Sequence, residues 1–69
     1  MNEKNLLQEL IQSQKEYIKL LDGNINTEKR RKNTITSYMY SPEYIEALEQ
    51  KKEQAVKILE KATEAILNI

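Results

Sequence analysis

The sequence predicts an all-α fold: an antiparallel two-helix hairpin with a long basic linker, dimerising into a four-helix bundle. Three observations carry this reading. Two segments repeat apolar residues at helical spacing. The single Gly and the single Pro of the chain, Gly23 and Pro42, bracket the stretch between them. At 69 residues with no Cys and no His, the chain lacks both disulfides and a Cys/His metal site as staples for a small core. Oligomerisation is the remaining common remedy.

The first helix is expected over about residues 3–22. Leu6, Leu7, Leu10, Ile11, Tyr17, Ile18 and Leu21 share one face, interrupted by Gln14. Asp22-Gly23-Asn24 reads as its stop, with Gly23 suited to a left-handed position after the last turn.

The linker is expected over about residues 23–41. Thr34 to Tyr40 alternates around Ile35 and Met39, which reads as extended. Extended residues followed by Ser41-Pro42 resemble the start of the ribbon–helix–helix repressors. That family needs two shorter helices after its strand, and nothing breaks the chain between Pro42 and Ile69.

The second helix is expected over about residues 42–69. Ser41 stands as its N-cap, Pro42 at the first position, and Glu43 in the first turn, where the helix dipole favours an acid. Ile45, Leu48, Lys52, Ala55, Leu59, Ala62, Ile66 and Ile69 then step alternately by three and four, a heptad seam with one lysine in it. If Leu21 sits opposite Ile45, Gln14 meets Lys52, and the two polar interruptions form one layer that fixes register. The same pairing leaves Ala62, Ile66 and Ile69 as an apolar overhang beyond the first helix, in need of another surface. In general build the hairpin resembles small bundles of the Rop type, an architectural likeness without a shared motif.

Composition narrows the function. Apolar residues at 39 % and charged residues at 32 % are an ordinary soluble mixture. Eleven basic residues balance eleven acidic ones, so no net field directs the whole molecule to nucleic acid or to an anionic membrane. Without His or Cys, the usual base and the usual thiol nucleophile are missing, and Ser13, Ser37 and Ser41 have no base partner of the ordinary kind. The chain is therefore expected not to be an enzyme and to need no cofactor or metal. The Glu49/Glu53 and Glu60/Glu64 pairs, interleaved with Lys52, Lys57 and Lys61, read as a solvated face. The first residues lack a positive segment followed by an apolar run, and no stretch of 18 apolar residues occurs. The expected location is the cytoplasm, and an origin in a bacterium or a phage is expected on composition alone.

Two candidate sites remain. Tyr38, Met39 and Tyr40, with Ala62, Ile66 and Ile69, are the expected contact surface for a protein partner, and the chain itself is an expected partner as a homodimer. The run Lys29-Arg30-Arg31-Lys32, with tyrosines nearby to stack on bases, is the candidate for nucleic acid. Its plainer reading is a solvated basic loop. The favoured function is a non-catalytic regulator, inhibitor or adaptor acting through helix contacts. The alternatives are a nucleic-acid-binding dimer and a structural or assembly component.

Overall fold

The computed structural model describes residues 2–69. Two helices, α1 (Glu3–Arg30) and α2 (Pro42–Leu67), pack against each other in a hairpin. Two 3-10 turns, Arg31–Asn33 and Ser37–Met39, connect them. The long axis measures 50 Å against 16 and 13 Å across, so this is a rod one helix pair thick.

α1 starts where the Asn2 side chain accepts a hydrogen bond from the Asn5 backbone N–H at 2.9 Å. The predicted end at Asp22 is overturned: the helix runs on for two further turns to Arg30. Gly23 lies inside it, and no glycine has positive φ. A mid-helix glycine costs about 1 kcal/mol relative to alanine. Burial of Ile25, 5 % exposed and two residues further on, outweighs that. Lys29 and Arg30 then fall in the last turn, where the negative end of the dipole favours cations.

The long basic linker is therefore not there. The connection is short, residues 31–41, and half of the basic run belongs to α1. Thr34 to Tyr40 is not extended throughout, because Ser37–Met39 closes a 3-10 turn. The Thr34 hydroxyl donates to the Arg31 carbonyl at 3.1 Å and accepts from the Thr36 backbone N–H at 3.2 Å. These short bonds satisfy the turn's own backbone, which makes strand pairing unnecessary.

α2 begins as the sequence indicated. The Ser41 hydroxyl accepts from the Tyr44 backbone N–H at 3.2 Å, Pro42 stands in the first turn, and Glu43 supplies the acid. The core is small: Leu21, Ile25, Ile45, Leu48 and Ala55 form its buried cluster, with Ile18 and Tyr40 packed against it. Tyr40 is thus a lid on the closed end of the hairpin rather than a free side chain.

Register also differs from the expectation. Lys52 reaches Asp22 at 2.5 Å, which sets it level with Leu21. Stepping outward by heptads, Ile25 faces Leu48, Ile18 faces Ala55, Gln14 faces Leu59, Ile11 faces Ala62 and Leu7 faces Ile66. The pairing is one heptad away from Leu21 opposite Ile45. Gln14 and Lys52 consequently do not share a layer. Nor do Ala62 and Ile66 overhang: Ala62 is buried and Ile66 half-buried, level with the first turns of α1, while Ile69 stays exposed.

Candidate functional site

The seam of α1 is Leu7, Ile11, Gln14, Ile18, Leu21, Ile25 and Glu28, stepping by four and three. Each residue turns the helix by about 100°, so the rows beside this seam point to the two long sides of the hairpin. The two sides differ in chemistry.

One side is a polar groove of about 400 Å³ lined by Asp22, Ile25, Asn26, Lys29, Glu49, Lys52, Glu53 and Val56. Lys52 pairs with Asp22 at 2.5 Å and Lys29 with Glu49 at 3.6 Å, both across the two helices. The aliphatic stem of Lys52 lies along the seam while its ammonium reaches sideways to the carboxylate. This side satisfies its charges internally.

The other side carries a second heptad row on each helix. On α1 it holds Leu6, Leu10, Tyr17 and Leu20, which keep 39–62 % of their surface exposed. On α2 it holds Tyr44 and Ile58, 52 % and 44 % exposed, together with the exposed Ala47 and Ala65. Because the helices are antiparallel, a row displaced in the same rotational sense on each helix comes to the same side of the pair. Sequence reasoning placed Leu6, Leu10 and Tyr17 in the inner seam. The available signal was a pair of staggered heptads on α1, of which only one fits between two helices.

The tip of the hairpin gathers the basic run. Arg31 Nε donates to Glu28 at 2.7 Å, and its guanidinium lies 3.6 Å from the Met39 sulfur. Arg30 and Lys32 have no ion-pair partner among the described residues. Ile35 and Tyr38 project from the connection, 96 % and 82 % exposed, and Met39 is half exposed. The structure therefore brings Lys29 to Lys32 and Tyr38 to one end. It places Ala62, Ile66 and Ile69 at the other end of the rod, so the six residues expected to form one protein-binding surface do not meet.

Among the described residues no three His, Cys, Asp or Glu side chains come together as a metal site. Glu49 is engaged by Lys29 and Glu53 by Lys57 at 3.6 Å each. Among the described residues no helix is long and apolar enough to cross a membrane. Among the described residues, the buried Gln14 Oε1 has no hydrogen-bond partner. No protein-family model, curated protein or solved structure matches this chain.

Proposed function

We propose that this chain is a non-catalytic protein–protein interaction module, a small regulator, inhibitor or adaptor that works through helix-to-helix contacts and pairs with itself into a four-helix bundle. The observation that supports it is the apolar row Leu6, Leu10, Tyr17 and Leu20 beside Tyr44 and Ile58, a long uncovered side on an otherwise charged rod. A two-helix rod has only one seam in which to bury side chains, and among the described residues its buried apolar set is six, two of them alanines. A second helix pair laid on the apolar side supplies the missing layer. Further protein partners would then meet the outer surface of the bundle and its tips, where Tyr38 and Met39 are presented.

Binding of nucleic acid is the second reading, favoured by Arg30 and Lys32 standing unpaired at the same tip as the exposed Tyr38. One experiment separates the two. Arg30→Glu together with Lys32→Glu removes the unpaired cations and leaves the seam intact. Light scattering is expected to give twice 8.1 kDa for the native chain and for this variant alike. Gel-shift titration with duplex and single-stranded oligonucleotides is expected to show no salt-sensitive binding by either. A mass of 8.1 kDa for the native chain refutes self-pairing. Oligonucleotide binding that the variant loses, with affinity falling steeply in salt, moves the function to nucleic acid.

A further inference from the structure

We infer that the occupant of the apolar side is a second copy of this chain laid tip beside tip, with α1 of each copy stacked on α2 of the other. This rests on the self-pairing reading and adds its geometry. Two rods laid face to face can share a two-fold axis in two ways. An axis along the rods stacks α1 on α2, whereas an axis across them stacks each helix on its own copy. Charge complementarity selects the first.

The deciding charges lie on the back of each helix, directly opposite the seam. On α1 this row is Glu9, Glu16, Gly23 and Arg30, and on α2 it is Glu43, Gln50, Lys57 and Glu64. Within one copy the two rows point to opposite edges of the rod and do not meet. An axis along the rods lays the back row of α1 beside the back row of the second copy's α2. With Leu21 level with Lys52, Arg30 then comes level with the second copy's Glu43, Glu16 with its Lys57, and Gly23 with its Gln50. Glu9 comes level with the second copy's Glu64, and Lys61 of that copy, one turn from Glu64, stands between Glu9 and Glu16. In the single hairpin Glu9, Glu16, Arg30, Glu43 and Lys61 have no ion-pair partner among the described residues. Lys57 holds only Glu53, at 3.6 Å with both side chains largely exposed.

The apolar rows agree with the same stacking. Tyr17 falls beside the second copy's Ile58 and Leu10 beside its Ala65, apolar on apolar. Asn24 falls beside Lys51, polar on polar, and Arg31 beside Tyr44, a cation next to an aromatic ring. The tips do not oppose it. Lys29, Arg30, Arg31 and Lys32 are matched at the same end by Glu28, Glu43, Glu46 and Glu49, so neighbouring tips set no net charge against each other.

The chain has no Cys, so a single introduced thiol reports unambiguously. In the full chain, Ser37→Cys at the exposed tip carries a nitroxide label, and electron resonance reads the distance between copies. A separation under about 25 Å, two helix spacings plus the label arms, is the expected result. A charge exchange tests the stacking itself. Glu16→Lys and Lys57→Glu are each expected to raise the dissociation constant roughly threefold or more, because each spoils a pair made twice per dimer. The double variant is expected to restore it, and no contact within one copy can produce that rescue. A tip-to-tip distance near 50 Å, the length of the rod, overturns the arrangement and leaves self-pairing standing. A double variant no tighter than the single ones overturns the stacking of α1 on α2. A mass of 8.1 kDa with no dipolar signal overturns self-pairing as well.

Discussion

The two long sides of this hairpin are made from the same pair of helices, yet one is closed and the other open. On the closed side, Asp22, Lys29, Glu49 and Lys52 pair with each other across the helices. On the open side, Leu6, Leu10, Tyr17, Leu20, Tyr44 and Ile58 hold between 39 and 62 % of their surface in water. Exposed ion pairs of this kind stabilise weakly, typically by 1 kcal/mol or less, because water competes well for charges. Apolar surface has no such competitor, and covering it contributes roughly 25 cal/mol per Å². The polar side thus adds little beyond the seam itself, while the apolar side leaves surface whose covering would release free energy.

Three variants break or sharpen that contrast. The largest effect is expected from Leu10→Glu combined with Ile58→Glu, which puts charge on the open side without touching the buried cluster. Self-association should weaken by about 100-fold or more in sedimentation equilibrium, since unpaired carboxylates would have to be desolvated at the centre of the interface. An unchanged dissociation constant would place the contact elsewhere on the rod.

An intermediate effect is expected at Gly23, which lies on the outer surface of α1 away from both sides. No atom lies within 4 Å of where a Cβ would stand, and its φ is negative. Gly23→Ala should therefore raise the stability of the folded chain by about 1 kcal/mol in denaturant titrations, with no change in association. A loss of stability instead would mean that α1 ends near residue 22.

The smallest effect is expected on the closed side. Asp22→Asn removes one partner of the Lys52 pair, whose two side chains are 39 % and 47 % exposed. Thermal melts should show a loss below about 1 kcal/mol that shrinks further at high salt. A larger, salt-independent loss would show that the pair is buried by the second copy rather than open to water.

Much of the fold could be read from single residues. Ser41, Pro42 and Glu43 mark a helix start by local chemistry, and the bonds they make are within four residues of chain. The alternating threes and fours from Ile45 onward gave the buried face of α2 directly, since Ile45, Leu48, Ala55 and Ala62 are all buried. Gly23 misled because a stop signal is a local preference worth about 1 kcal/mol. The pattern continuing through Ile25 and Glu28 depends on a partner helix that local reading does not contain. Leu6, Leu10 and Tyr17 were assigned to the seam for a related reason. A wide apolar stripe shows that a helix is covered, without showing how many neighbours share the covering.

What the sequence determined by itself, then, is that two amphipathic helices form, where α2 begins, and that the chain carries no His or Cys chemistry. These follow from propensity, capping and side-chain inventory, all properties of short stretches of chain. The tertiary structure alone decided the end of α1, the heptad in which the helices engage, and which apolar residues stay uncovered. A heptad pattern looks the same after a slide of seven residues, so Leu21 can face Ile45 or Lys52 with equal periodicity. The choice fell to contacts between distant residues: Lys52 on Asp22, Tyr40 closing over the core, and a connection only long enough to turn the chain once α1 has reached Arg30.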